Sequence, residues 1–302
     1  MSTTIQIRNL TKKYPGSERA ALTGLSLEVN AGEVYGFLGP NGAGKSTTIR
    51  LLLNFIQPSA GSATILGRDI VSDALEIRRT IGYVTGDSSL YPKLTGQQFL
   101  DYMGELQAPK SAHYVNELGR RLKADLHVKL GTLSRGNKQK IALIAAFMHQ
   151  PKIMILDEPS TGLDPLMQEE FYMLVAEARQ RGATIFTSSH ILSEVQKICD
   201  RVGIIRSGKL IDELTIAKMA EQASQTFDIV FANTAPIVKL RKLSSVQKIT
   251  ASDEKTVSLH IKGELNELFS LLATTKVHHI STRELNLEDE FLKYYQSEVA
   301  HA

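Results

Sequence analysis

The sequence lacks several features that would place it in other classes of protein. It has a single cysteine, Cys199, and no tryptophan. No disulfide can form within the chain, which favours a reducing, cytoplasmic environment, and we interpret Cys199 as a small buried hydrophobic residue. The net charge is only +3, and the basic residues are not concentrated, so no nucleic-acid partner is expected.

Long apolar stretches are also missing. The longest apolar run, Ile141 to Met148, is far shorter than the ~20 residues that cross a bilayer. The first residues alternate between apolar and polar as in a strand, a pattern that does not predict a signal peptide. A membrane function would therefore require another chain.

The remaining composition is ordinary. Of the 302 residues, 42% are apolar and 22% are charged, which is typical of a globular protein with a substantial core. The length predicts one large domain or two.

One glycine-rich stretch, GPNGAGKST at 39–47, has the spacing of a phosphate-binding loop. An apolar strand over 33–38 is predicted before it, and a helix over 48–53 after it. Backbone N–H groups in such a loop and the positive end of the helix dipole bind phosphate. Lys45 would bring its charge to the β- and γ-phosphates, and Ser46 would ligate Mg²⁺. The predicted phosphate-binding residues are Gly39, Pro40, Asn41, Gly42, Ala43, Gly44, Lys45, Ser46 and Thr47.

Two carboxylates follow the predicted strand 153–156. The carboxyl end of such a strand is where ligands bind in open α/β sheets. Asp157 could hold Mg²⁺ through water, and Glu158 could accept a proton from an attacking water. His190 stands just beyond the predicted strand 184–188, where a neutral imidazole could donate to a γ-phosphate.

Two weaker signals lie elsewhere. Ser134 has the position of an N-cap, and with Gly136 it would form a second helix start able to bind phosphate, although a simple cap explains the pattern as well. Tyr14 precedes the phosphate loop and could stack on a purine or simply pack on the surface. Helical periodicity over 97–124 predicts a helical subdomain at about 90–150.

Five motifs in register carry a family resemblance. They are GPNGAGKST at 39–47, LSRGN at 133–137, ILDEP at 155–159, STGLD at 160–164 and SSH at 188–190. With these motifs, residues 1 to about 225 resemble the ATP-binding subunit of an ABC transporter. The resemblance implies an α/β fold of the P-loop NTPase class, with a helical subdomain, and ATP and Mg²⁺ as cofactors.

The resemblance also implies roles for individual residues. Tyr14 matches the aromatic residue that stacks on adenine. Ser134 and Gly136 match the signature that contacts the γ-phosphate of a nucleotide held by the opposite subunit. His190 matches the switch histidine, and Asp164 lies in the loop that crosses the dimer interface.

Two segments depart from the usual family pattern. Arg135 and Asn137 replace the glycine and glutamine of the commonest signature, and this variant resembles the exporter branch that serves drugs, polysaccharides or haem-related cargo. Gly86 stands where the family has a glutamine that approaches Mg²⁺ and the attacking water. Asp87 is the candidate substitute as a metal ligand, and the alternative is that residues 85–89 only contact a membrane partner.

The tail, residues 226–302, repeats none of these motifs. Its pattern predicts the order β-α-β-β-α-β, which is typical of a small α+β domain of the ferredoxin-like type. A closing helix over 287–295 resembles that of the same exporter branch.

The expected function is ATP hydrolysis by a pair of nucleotide-binding subunits, a homodimer or a heterodimer, that power an integral membrane permease encoded separately. The chain would lie in the cytoplasm, at the inner face of the cell membrane. Two alternatives remain at this stage. One is a soluble relative acting on DNA or ribosomes, which the lack of a long insertion, of a second cassette and of a basic tail disfavours. The other is an ATP-binding regulator without hydrolysis, which Glu158 disfavours and Gly86 leaves open.

Overall fold

The computed structural model describes residues 2–86, 90–107, 111–222 and 225–283. The chain divides into two compact units, Met1–Leu214 and Thr215–Ala302. The sequence placed the boundary at residue 225, so the segment between the two positions belongs to the second unit in the structure.

Two sheets form the first unit. The outer sheet has the strand order β2-β1-β4-β5, and the central sheet has the order β10-β9-β3-β8-β7-β6. The strands are β1 (Thr3–Lys12), β2 (Leu22–Asn30), β3 (Val34–Leu38), β4 (Ala60–Ile65), β5 (Arg68–Asp69), β6 (Ile81–Val84), β7 (Ile153–Asp157), β8 (Thr184–Ser189), β9 (Arg201–Arg206) and β10 (Lys209–Thr215).

The central sheet is the frame of the candidate site. Its neighbours β6/β7, β7/β8, β8/β3 and β3/β9 are all parallel. Strands β3, β7 and β8 are buried along their whole length, as expected for parallel strands covered on both faces. Because parallel strands end at the same edge, the segments that follow β3, β7 and β8 are brought together.

Helices of the first unit cover this sheet. They are α1 (Lys45–Leu52), α2 (Ala74–Thr80), α3 (Gly96–Gln107), α4 (Ala112–Arg121), α5 (Arg135–Phe147), α6 (Pro165–Gln180) and α7 (Leu192–Ile198). The helical pattern predicted over 97–124 is confirmed in α3 and α4. Cys199, just after α7, is buried, and burial raises the pKa of its thiol.

An ion-pair cluster ties the helical subdomain to α6. The Arg121 guanidinium at the end of α4 lies 2.5 Å from a Glu170 carboxylate oxygen and 2.7 Å from one of Glu177. Hydrogen bonds from Arg121 hold the pKa of Glu177 below its ordinary value of 4.5. The stability that Glu177 adds is therefore complete above pH about 4.5 and is lost as the pH falls through the lowered pKa.

The second unit has the predicted order β-α-β-β-α-β after a first helix. Strand β13 lies between β11 and β12, and the sheet order is β12-β13-β11-β14 with antiparallel neighbours. The parallel pair β11 and β12 is thus split by β13, which is the split βαβ arrangement. The elements are α8 (Ile216–Gln222), β11 (Gln225–Phe231), α9 (Ile237–Leu240), β12 (Val246–Ala251), β13 (Thr256–Ile261), α10 (Asn266–Ala273) and β14 (Val277–Arg283).

One helix of this unit is shorter than the sequence pattern indicates. The sequence pattern predicts a helix over 236–243 as the first helix of the order β-α-β-β-α-β, but α9 spans four residues. Beyond it, the N–H groups of Lys242 and Leu243 donate to the carbonyls three residues earlier, as in successive turns. The closing helix expected over 287–295 lies outside the described residues.

Candidate functional site

The predicted phosphate loop connects β3 to α1. Two of its glycines are required by space and backbone angle. A Cβ on Gly39 would collide with the carbonyl oxygen of Ile205, and Gly44 has φ 114° with the Ala21 carbonyl oxygen 2.9 Å from where its Cβ would lie. The pocket at this loop is lined by Ala21, Asn41, Gly42, Gly44, Lys45, Ser46, Thr47 and Glu158. Most of the predicted phosphate-binding residues therefore face one pocket.

Lys45 is held inside this pocket by backbone oxygens. Its side chain is almost fully buried, and Nζ donates to the carbonyl oxygens of Gly39 at 2.7 Å and Pro40 at 3.2 Å. Nζ also lies 3.3 Å from Oε1 of Glu158. The ammonium group is thus fixed between the loop and a carboxylate.

Glu158 brings the three predicted catalytic residues together. The oxygen that lies near Lys45 is also 3.3 Å from Nδ1 of His190, whose side chain is 41% exposed. Glu158 adopts φ 47°, an uncommon conformation for this residue type that is found at functional sites. Its N–H donates to Oγ of Ser188 at 3.1 Å, and this bond from the neighbouring strand holds the turn.

Asp157 ends β7 with its carboxylate buried. Oδ1 accepts a 2.6 Å hydrogen bond from Ser188. A Cβ built on Gly86 would lie 3.4 Å from Oδ2 of Asp157, which is an ordinary contact. Position 86 therefore borders the predicted metal ligand and can accept a Cβ, while Asp87 lies outside the described residues.

Tyr14 lies at the edge of the phosphate loop. Its hydroxyl is 3.5 Å from Oγ1 of Thr47, and Nζ of Lys12 lies 5.4 Å from the centre of its ring. The ring is half-buried. This position agrees with a ring that borders a bound nucleotide, and stacking on adenine stays a prediction.

The signature residues form a separate part of the site. Ser134 is the N-cap of α5, and its Oγ accepts from the N–H of Asn137 at 3.3 Å. A Cβ on Gly136 would lie 2.5 Å from the carbonyl oxygen of Gly162, so α5 starts directly against the loop 160–164. Neither Ser134 nor Gly136 is among the described residues that line the phosphate pocket.

Sequence reasoning missed three polar residues that support the site. Ser188 bonds both acids, as described above. Buried Gln139 in α5 donates to the carbonyl oxygen of Pro159 at 2.8 Å, and buried Glu194 in α7 bonds Ser160. The available signal was a polar residue within a segment that is otherwise buried.

Comparison with known proteins identifies the family. The family described as "ABC transporter" matches residues 22–161. The bacitracin transport ATP-binding protein BcrA of Bacillus licheniformis is 33% identical over 97% of each chain. The chain belongs to the ABC transporter family, as an ATP-binding subunit. The linearmycin resistance ATP-binding protein LnrL of Bacillus subtilis is 31% identical over 96% of each chain.

A solved structure of an ABC transporter ATP-binding subunit has a similar fold. Its TM-score is 0.66 at 28% identity, over 72% of this chain and 91% of that chain. As a member of this family the chain is an ATPase, and the phosphate loop with Asp157 and Glu158 is its candidate site. No helix in the described ranges combines the length and the apolarity of a membrane span.

Proposed function

We propose that two copies of this ATPase bind ATP between them and drive a separately encoded membrane permease. Each ATP is held by the Lys45 loop of one copy and the Ser134 helix start of the other. The observation that carries this proposal is the division of the site within one chain. Lys45 and His190 both lie near Oε1 of Glu158. The exposed cap Ser134 is not among the described residues that line the pocket of Lys45 and Glu158.

The residues of this pocket suit the chemistry of hydrolysis. Lys45 neutralises charge on the transferred phosphoryl group, Glu158 accepts the proton of the attacking water, and His190 contacts the γ-phosphate. The hydroxyl of Ser46 and the carboxylate of Asp157 are the oxygen donors that Mg²⁺ prefers. They would hold the metal ion, which would supply positive charge at the phosphates.

An apolar groove on the first unit supports the proposal that another protein binds this chain. Phe55 is 52% exposed at this groove, and its ring meets that of Tyr83 edge to face at 5.6 Å. A contiguous exposed apolar surface is typical of an interaction site. We propose that a cytoplasmic segment of the permease binds here. The groove is lined by Leu53, Phe55, Arg78, Ile81, Tyr83, Met103, Gln107, Ala145 and Ala146.

Affinity purification from detergent-solubilised membranes tests the partner. The tagged chain is expected to recover a polytopic membrane protein. Phe55→Asp should lose this partner, because it places a charge in the apolar groove. Phe269→Asp is the matched control, since Phe269 is 49% exposed in the second unit. Recovery of ribosomal or DNA-repair proteins in place of a membrane protein would contradict the proposal.

Export is the proposed direction of transport. Two similar proteins carry names that refer to bacitracin transport and to linearmycin resistance, and resistance by transport requires removal of the compound from the cell. The signature variant with Arg135 agrees with the same branch. Loss of this chain should then sensitise cells to the cargo. A deletion strain that instead requires more of an external nutrient would indicate import.

We predict that Tyr14→Ala weakens ATP binding by ~1 to 3 kcal/mol, the range for a base stacked on an aromatic ring. Tyr14→Phe keeps the ring and should change little. Titration of the purified chain with a fluorescent ATP analogue and with ATP as competitor measures both. Equal losses in the two variants would assign the effect to the hydroxyl next to Thr47.

We also predict that Asp87 replaces the missing glutamine as the side chain that approaches Mg²⁺. Asp87→Ala should then lower the ATPase rate of the isolated chain and raise its Mg²⁺ requirement. Adding Gly86→Gln to the Asp87→Ala chain should restore the rate and the Mg²⁺ requirement, because position 86 borders Asp157 and can accept a Cβ. An unchanged rate and Mg²⁺ dependence in Asp87→Ala would leave only contact with the membrane partner as its role.

A further inference from the structure

A buried carboxylate in α7 joins two segments of the candidate site. Glu194 is 9% exposed. Its Oε1 accepts from Oγ of Ser160 at 2.6 Å, and its Oε2 accepts from Oγ of Ser189 at 2.7 Å. These are the short distances expected for hydroxyl groups that donate to an ionised carboxylate. We propose that Glu194 is a positioning residue that couples the loop after Glu158 to the turn that carries His190.

The Ser189 side of this bridge controls the turn at His190. Ser189 is buried at the end of β8. Its Oγ accepts from the N–H of Ile191 at 2.9 Å. This hydrogen bond joins the two residues that flank His190 in the chain. The carboxylate of Glu194 orients this hydroxyl and with it the backbone on both sides of the histidine.

The Ser160 side reaches the start of α5. Ser160 is buried, and its carbonyl oxygen accepts from the N–H of Leu163 at 3.0 Å. Within the same loop, the carbonyl oxygen of Gly162 packs against Gly136. A displacement of the signature helix would therefore act on the loop that Ser160 anchors.

The chemistry of Glu194 indicates more than packing. In the part of the chain that the structure describes, no basic side chain forms an ion pair with it. A buried carboxylate without a cation is costly to desolvate, and the two serine hydroxyls are the donors that stabilise it. An apolar residue would fill the space without this cost but could not connect the two serines.

The inference rests on the proposed function, because it assigns Glu194 a role through His190. In the proposed dimer, α5 of the second copy docks with its signature residues at the interface, and the loop 160–164 lies at the same interface. This loop also contacts α5 of its own chain. The hydrogen bonds Ser160–Glu194–Ser189 then transmit the position of that loop to His190. In this way, hydrolysis becomes sensitive to closure of the dimer.

Glu194→Gln is the first test. Glutamine keeps the shape but replaces one acceptor oxygen with an N–H donor, so one serine bond must be lost or reversed. We expect kcat to fall by about 10- to 100-fold, the range for a displaced catalytic group, with KM for ATP unchanged. Glu169→Gln is the matched control, because Glu169 also bonds α7, through exposed Lys197 at 2.8 Å. Ser160→Ala should reproduce the Glu194→Gln effect without removing a buried charge.

A double-mutant cycle with His190→Ala separates coupling from general stability. His190→Ala alone should lower kcat, and adding Glu194→Gln should lower it no further. An equal fall caused by Glu194→Gln in both backgrounds would overturn the coupling and leave the proposed role of His190 intact. If His190→Ala had no effect on kcat, the coupling and the proposed role of His190 would both be wrong.

Discussion

Glu158→Gln is expected to lower ATP turnover by at least about 10²-fold, the lower end of what a general base contributes, while ATP binding persists. The amide oxygen of glutamine can still face Lys45 and His190, each of which lies 3.3 Å from Oε1 in the native chain. It cannot accept the proton of the attacking water at neutral pH. Steady-state ATPase assays and ATP binding on the same preparation measure the two effects.

The Glu158→Gln chain should also accumulate as an ATP-bound dimer, because hydrolysis normally releases the two copies. Gel filtration with ATP detects this species. Glu76→Gln is a suitable control, since the ion pairs that Glu76 forms with described residues, with Arg79 at 3.3 Å and with Arg68 at 3.5 Å, are all exposed. A turnover close to that of the native chain would show that another group handles the water.

Ser134→Arg is expected to abolish most of the hydrolysis, although Ser134 is not among the described residues that line the Lys45 pocket of its own chain. In the proposed dimer this side chain contacts the γ-phosphate bound by the other copy, and an arginine there would block closure over a bound ATP. Loss of one transition-state donor costs about 10²- to 10³-fold, so we expect a decrease of at least this size. Binding of ATP to the monomer should be unchanged.

A second N-cap serine provides the control for this substitution. Ser111 caps α4 in the same helical subdomain, and its side chain accepts from the N–H of Tyr114 at 3.1 Å. Either substitution removes a cap worth about 1 kcal/mol. If Ser111→Arg lowered hydrolysis as much as Ser134→Arg, the loss would reflect helix stability and the composite site would lose its support.

Short segments of the sequence predicted the local structure at this candidate site. The phosphate loop between β3 and α1, the acids after β7 and the N-cap at Ser134 follow from short patterns of glycine, apolar and capping residues. Each of these features depends on neighbours in the chain. Local chemistry is therefore sufficient to locate them.

Contacts between distant segments could not be predicted in the same way. The bond from Ser188 to Asp157 depends on the register of β8 against β7, which no local pattern specifies. Likewise, the bridge from Glu194 to Ser160 requires the packing of α7 beside a loop 34 residues earlier. Polar residues in buried segments indicated that partners exist, but only the fold identifies them.

Native mass spectrometry of mixed chains with ATP tests most directly whether two copies share each ATP. Both chains carry Glu158→Gln to prevent hydrolysis, and one also carries Lys45→Ala while the other carries Ser134→Arg. Each chain alone should remain monomeric, because both of its possible sites lack one half. The mixture should form dimers of one chain of each kind with a single ATP, since one of the two sites is then intact. Absence of such mixed dimers, or ATP-bound dimers of either chain alone, would contradict a site built from the Lys45 loop of one copy and the Ser134 helix of the other.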